Sequence, residues 1–131
     1  MTPHPPNSKA DFEAAFAGLK KILAKFTARM NVARDTARAY HLETKNAAYK
    51  GRPLMFAGAV VNKGYVSYHL VPIYMNPALQ KRLSPELKKR MQGKACFNFS
   101  KPDKALFAEL AALTEAGFKS FKERGFLGDR A

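Results

Sequence analysis

Residues 54–75 form the most apolar stretch of the chain and carry a single charge, on Lys63. Within it, two runs rich in Val, Phe and Tyr flank the short link Asn62-Lys63-Gly64. Apolar runs separated by a short link that contains glycine are typical of a β-hairpin, here with Gly64 in the left-handed region. The stretch therefore predicts a hairpin at the centre of a sheet, with helices packed against it.

The two strands of this hairpin differ in how their side chains alternate. The first is apolar on both faces, with Leu54, Phe56, Gly58 and Val60 alternating against Met55, Ala57, Ala59 and Val61. Such a strand belongs inside a sheet, covered on both sides by its own chain or by an oligomer partner. On the return strand, Tyr65, Ser67 and His69 share one face, and Pro72 ends the pairing because proline has no amide hydrogen.

A long amphipathic helix is predicted at each end of the chain. The first runs from a cap at Ser8 to about Thr27, since its apolar residues recur at helical spacing: Phe12, Phe16, Leu19, Leu23 and Phe26. The second begins at a cap on Asp103 and ends near Arg124, where Gly125 stops it. Its apolar face contains Leu106, Leu110, Leu113 and Phe121.

Shorter elements fill the regions between. Residues 40–45 alternate apolar and polar side chains, which predicts a half-exposed strand, and residues 30–34 suggest another strand before it. Asn76-Pro77 and Ser84-Pro85 each combine a capping side chain with a proline at the first helical position. We expect a turn of helix to residue 83 and a helix to residue 91 or 92, stopped by Gly93. Residues 95–99 form the last strand.

This order predicts an α+β fold: a two-layer sandwich whose antiparallel sheet has about five strands. The N- and C-terminal helices pack on one face of the sheet, and the short helices precede the last strand. A length of 131 residues suits one domain, which we place at residues 8–127. Residues 1–7 contain three prolines and are expected to form a flexible lead.

Composition and charge limit the compartments and partners expected for this protein. A single cysteine, Cys96, excludes an internal disulfide, and we find neither a signal peptide nor an apolar run long enough to span a membrane. We therefore expect a cytoplasmic protein without a membrane partner. The net charge of +13 favours anionic partners. The charge is concentrated in residues 77–101, which hold seven basic residues and one acidic residue.

Three segments of the sequence carry a resemblance to a known family: Tyr65-Val66-Ser67-Tyr68-His69-Leu70, residues 91–99, and Leu106-Phe107-Ala108-Glu109-Leu110. They resemble the YdhG-like family of small bacterial domains of unknown function, over about residues 54–124. The resemblance implies the same α+β sandwich. Some members of that family are described as frataxin-like iron chaperones, which bind iron through clustered surface carboxylates. Here the first helix offers only Asp11 and Glu13. The resemblance therefore does not imply an iron site in this sequence, and no metal is expected.

The sheet face opposite the long helices is the best candidate for a binding site. We expect Tyr65, Ser67 and His69 to lie there, joined by Cys96 and Asn98 if the return and last strands are neighbours. A Cys–His pair is also compatible with an activated thiolate, but a lone cysteine more often packs as a small apolar residue. We therefore expect a non-enzymatic domain without a cofactor, binding a small ligand or a protein partner at this face. A second copy of the chain, forming a homodimer, is one such partner.

A basic cluster provides the alternative function. It comprises Lys81, Arg82, Lys88, Lys89, Arg90 and Lys94. These residues are suited to nucleic acid or another polyanion. The same placement also stabilises the C-terminal end of a helix, and no nucleic-acid-binding motif accompanies the charge. The sequence therefore leaves open whether this segment binds a partner or is only a solvated face.

Overall fold

Five antiparallel strands form one sheet in the computed structural model, which describes residues 9–46, 50–93 and 95–127. In chain order they are β1 (Asn31–Asp35), β2 (Ala39–Glu43), β3 (Met55–Val61), β4 (Val66–Leu70) and β5 (Cys96–Phe99). The order across the sheet is the same as the order along the chain, so each strand pairs with its sequence neighbours. The predicted hairpin is β3–β4, and β3 is the central strand.

The helices are α1 (Lys9–Ala24), α2 (Val71–Met75), α3 (Pro77–Gln80), α4 (Pro85–Lys88) and α5 (Lys104–Glu123). The long helices α1 and α5 lie on one face of the sheet, and the three short helices connect β4 to β5. The predicted α+β sandwich is confirmed. The predicted lead at residues 1–7 and the cap at Ser8 lie outside the described residues.

A single core lies between the two long helices and the sheet. Leu19 and Leu23 from α1 and Leu110 from α5 are fully buried there. Aromatic rings link the layers: Phe56 on β3 packs edge-on against Phe121 on α5, with ring centroids 5.5 Å apart. Burial of large apolar side chains is the main stabilising term in a domain of this size. The apolar residues that recur at helical spacing in the sequence therefore face the core.

A bulge in β3 corrects the predicted alternation of that strand. Leu42 pairs with Ala57, but Glu43 pairs with Met55, so Phe56 has no partner on β2. The extra residue turns Phe56 to the helices, on the same side as Ala57. Only Met55, Gly58 and Val60 remain for the opposite face. The face of β3 away from the helices therefore carries fewer apolar side chains than the sequence predicted.

Two predictions about the short helices were wrong. Helix α2 was not expected, because Pro72 was interpreted only as the end of a strand; it ends the strand and also occupies the first turn of α2. Helix α4 ends at Lys88 and not at residue 91 or 92. Met91 forms an isolated antiparallel bridge with Phe97, which requires an extended backbone where the helix would have continued.

The predicted glycine conformations were right at two positions and wrong at one. Gly93 and Gly125 have φ values of 78° and 79°, in the left-handed region. Gly125 follows the end of α5 as predicted, but Gly93 lies beyond the Met91–Phe97 bridge and does not stop a helix. Gly64 does not have a positive φ, so the turn between β3 and β4 closes without a left-handed residue. The cap of α5 is as predicted, since the Asp103 carboxylate accepts a hydrogen bond from the Leu106 amide at 3.0 Å.

Candidate binding site on the open sheet face

The face of the sheet opposite α1 and α5 carries a row of side chains that crosses all five strands. Strand register places Arg34 opposite His41, His41 opposite Gly58, Gly58 opposite His69, and His69 opposite Cys96. We call the surface around this row the open sheet face, because the two long helices pack on the other side. Its centre is Gly58, with one histidine on each side.

Gly58 forms a notch into which its neighbours lean. A Cβ atom at this position would overlap the imidazole of His41, whose Nε2 atom would lie 3.0 Å away. The same Cβ would lie 3.0 Å from the terminal methyl group of Met55. The absence of a side chain at Gly58 therefore leaves room for the His41 imidazole over the middle of the sheet.

The two imidazoles make no hydrogen bond to any other described residue. The pKa of His41 is lowered first by partial burial, then by the positive charges of Arg34 and His69. Partial burial also lowers the pKa of His69. Both rings are therefore neutral at neutral pH, and a neutral imidazole presents one donor and one acceptor nitrogen.

A second row, beside the first, is a chain of hydrogen bonds between side chains. The Asn62 amide donates to the Ser67 hydroxyl at 2.9 Å, and Ser67 donates to Oδ1 of Asn98 at 2.9 Å. The Asn98 amide then donates to Oε1 of Gln92 at 2.6 Å. Because each member is held by the next, the side chains in this part of the face are held in place by the fold itself.

The geometry does not support a cysteine–histidine catalytic pair. Cys96 and His69 lie opposite each other on β5 and β4, but no hydrogen bond joins them. The thiol instead makes a long contact, 3.9 Å, with Oδ1 of Asn98. Among the described residues, no group of three His, Cys, Asp or Glu side chains converges to hold a metal ion.

A shallow depression adjoins the face at His69. It has a volume of about 350 Å³ and is lined by His69, Val71, Tyr74 and Ala95. Tyr74 is 58% exposed, an unusual position for a large aromatic side chain. Tyr65 immediately precedes β4 and is 39% exposed. Apolar and aromatic surface therefore borders the polar rows at both ends of β4.

The basic cluster lies on and around α3 and α4. Its five described members, Lys81, Arg82, Lys88, Lys89 and Arg90, are all exposed, and within residues 9–46, 50–93 and 95–127 none forms an ion pair. Lys94 lies outside the described residues. No helix formed by the described residues is both long and apolar enough to cross a membrane.

The structure brings together four of the five predicted sheet-face residues. Ser67 pairs with Asn98 and His69 with Cys96, while Tyr65 lies at the start of β4. The sequence analysis missed Asn62 and Gln92, and also His41, which reaches the site from another strand. The sequence did show a histidine on a predicted half-exposed strand and a glycine on the neighbouring strand. Placing His41 beside Gly58, however, requires knowing how β2 and β3 pair residue by residue.

No family model matches this sequence, and no curated protein or solved structure is significantly similar to it. The resemblance to the YdhG-like family therefore stays a prediction.

Proposed function

We propose that this protein is a binding domain, and that the open sheet face accepts a small planar ligand that is neutral or singly negative. The observation that carries the proposal is the pair of imidazoles, His41 and His69, on either side of the Gly58 notch. Partly exposed polar side chains that have no partner within the chain bond to water, which a ligand can displace. Two adjacent rings without such partners are therefore available to a ligand.

The charge and shape of the face determine the ligand class. Arg34 ends the histidine row, and at its centre the His41 imidazole covers Gly58, with His69 on the next strand. A planar molecule with both donor and acceptor groups would lie against these rings and bond to the imidazole nitrogens. A cationic ligand is disfavoured because Arg34 and the net charge of +13 repel it.

A second copy of the chain is the competing occupant of this face. Stable homodimer interfaces are apolar at their centre, and charged side chains are depleted there. The open sheet face presents the polar side chains of His41, Ser67, His69 and Asn98, with Arg34 at its edge. Burying these groups against another copy would remove water from polar atoms that the partner would have to satisfy. The polar character of the face therefore favours a small ligand.

Calorimetric titration with a set of planar probes tests the proposal. Uracil and benzamide are neutral, benzoate is negative, and benzylamine is the positively charged control. We expect saturable binding of at least one of the first three and none of benzylamine.

His69→Ala should weaken binding about tenfold, the loss of one or two hydrogen bonds. Lys119→Ala, on an exposed position of α5, should leave binding unchanged. Equal effects of the two variants would refute the proposal.

Binding of a polyanion through the basic cluster is a second candidate. It is supported by the absence of ion pairs at its five described members, which leaves their charge available. Titration of a single-stranded oligonucleotide at rising salt would measure it. Replacing Lys81, Arg82, Lys88 and Lys89 with Gln should reduce affinity more than the same change at Lys21, Lys25, Lys104 and Lys122. Equal loss in both variants would mean that net charge alone attracts the oligonucleotide.

A further inference from the structure

A groove of about 740 Å³ lies at the end of the sheet where α1 begins. Three segments form its walls: the first turns of α1, the β1–β2 turn, and the turn between β3 and β4. The groove is separate from the open sheet face, since it lies between α1 and the sheet. Asn62 lines the groove and also belongs to the polar chain of that face.

The floor of the groove is apolar. Phe12 and Phe16 on α1 and Val61 at the end of β3 contribute to it. The two phenylalanines are nearly buried, at 9% and 8% exposure, so they hold their positions as part of the core. A pocket of this volume with an apolar lining is typical of small-molecule sites.

The rim of the groove is positively charged. Its charged residues are Lys9, Arg38 and Lys63 with one carboxylate, Glu13. Glu13 lies 3.9 Å from Lys9 on the helix surface, and both side chains are largely exposed. Among the described residues, Arg38 and Lys63 have no ion-pair partner. The rim therefore presents two cations whose charge no described carboxylate neutralises.

Arg38 is held at the rim by the strand that forms the floor. Its guanidinium donates to the carbonyl oxygen of Val61 at 3.3 Å, and the Val61 amide donates to the carbonyl of Arg38 at 2.7 Å. One guanidinium nitrogen is thereby occupied, and the remaining donors are available to an anion. This contact places a cation beside an apolar surface before any ligand binds.

We infer that the groove binds an amphipathic monoanion, a carboxylate with an alkyl chain of medium length. The alkyl chain would lie on Phe12, Phe16 and Val61, and the carboxylate would bond to Arg38 and Lys63. Charge complementarity selects this occupant over the protein's own residues 1–8, because that segment contains no Asp or Glu. An uncharged apolar ligand would leave both rim cations without a partner.

Titration of the full chain with decanoate, followed by backbone amide NMR, tests this inference. We expect saturable shifts at Phe16, Ala37, Val61 and Lys63, and no saturable binding of decyltrimethylammonium, which has the same chain and the opposite charge. Acetate, which lacks the chain, should not bind in the same concentration range. Matching shifts for the cationic and anionic probes would contradict the inference, because they would show binding through the chain alone.

Three variants test whether the carboxylate binds at the rim of the groove. Arg38→Gln should weaken decanoate binding about tenfold, the loss of a charge-assisted hydrogen bond. Lys88→Gln removes the same charge from α4, which does not line the groove, and should have little effect. Ala37→Glu, at an exposed position that lines the groove, should abolish binding without disturbing the core. If Arg38→Gln and Lys88→Gln weaken binding equally, or if Ala37→Glu binds normally, the groove is not the site.

Discussion

The imidazole of His41 on β2 lies across Gly58 on β3, with its Nε2 atom 3.0 Å from the point that a Cβ atom of residue 58 would occupy. The sheet can therefore accommodate His41 in this position only because residue 58 has no side chain. This contact lies at the centre of the open sheet face, so the position of His41 in the candidate site depends on Gly58.

Replacing Gly58 with Ala should reduce the free energy of unfolding by about 1 kcal/mol, the usual cost of forcing a side chain from its preferred rotamer, because the His41 imidazole must move aside. Gly64→Ala is the matched control, since nothing lies within 4 Å of a Cβ there and φ is not positive. It should change stability by less than about 0.5 kcal/mol. Urea denaturation measures both. A neutral Gly58→Ala variant would show that His41 has room to move aside at no cost.

The two histidines should make stability depend on pH. Because their pKa values are lower in the folded chain than in the unfolded chain, the folded state binds fewer protons in mildly acidic solution. The stabilisation is complete above the unfolded value of about 6.5 and is lost as the pH falls through the folded-state values. Urea denaturation at several pH values should show this decline. The double variant His41→Gln, His69→Gln should flatten it, and an unchanged slope in that variant would refute this origin.

Arg34 should act on one histidine and not on the other. Its positive charge lowers the pKa of His41, whereas for His69 the cause is partial burial. Arg34→Gln should therefore raise the pKa of His41, measured by NMR of the imidazole protons, and leave that of His69 unchanged. Lys101→Gln, a cation replaced outside the histidine row, is the control. Equal shifts of both histidines would contradict the cross-strand row.

Much of this architecture could be predicted from local signals. Asp103 and Gly125 mark the ends of α5 because caps depend on residues within one turn of the helix. The spacing of Phe12, Phe16 and Leu19 identifies the buried face of α1 in the same way. These signals depend only on residues close in sequence, so they can be interpreted without knowledge of the fold.

The missed features depend on contacts that are distant in sequence. The bulge at Phe56 arises from the pairing between β2 and β3, and α4 ends early because Met91 pairs with Phe97. His41 joins the candidate site for the same reason: strand register, and not its own neighbours, places it beside Gly58. Ser67 and Asn98 were predicted as partners only under the condition that β4 and β5 pair.

Tyr68 and Thr114 form a buried polar pair between the sheet and α5. The Thr114 hydroxyl donates to the carbonyl oxygen of Leu110 at 2.7 Å, so Tyr68 is the donor in the 2.6 Å bond between the two hydroxyls. Thr114→Val should cost about 1–3 kcal/mol because it leaves the buried Tyr68 hydroxyl without an acceptor. Tyr68→Phe should cost less, about 0.5–1.5 kcal/mol, because Thr114 keeps its bond to Leu110. Thermal or urea unfolding gives the order, and the reverse order would contradict the assignment of the donor.

Burial also raises the pKa of Tyr68. The folded state therefore retains a proton that the unfolded state loses, so stability is complete below the unfolded value of about 10 and declines above it. Tyr68→Phe should remove this part of the alkaline decline. Tyr74→Phe, at an exposed position, should not, and an equal effect of the two variants would refute the account.

Gly117 on α5 should resist a substitution that normally stabilises helices. A Cβ there would lie 2.8 Å from both Cβ and Cγ of Pro72, so Gly117→Ala would push α5 away from α2. We expect a loss of about 1–3 kcal/mol in urea denaturation. At the exposed position Ala112 on the same helix, Ala112→Gly should cost about 1 kcal/mol because alanine is the better helix former. A stabilised Gly117→Ala variant would mean that the α2–α5 contact is loose.

The most direct test of a ligand site on the open sheet face is a backbone amide NMR map of the ¹⁵N-labelled chain with and without saturating uracil, benzamide or benzoate. The account predicts that one of these probes shifts the amides of Gly58, His69 and Cys96, with smaller effects on α5. Shifts confined to other parts of the chain, or no shift with any of the three probes at millimolar concentration, would contradict it.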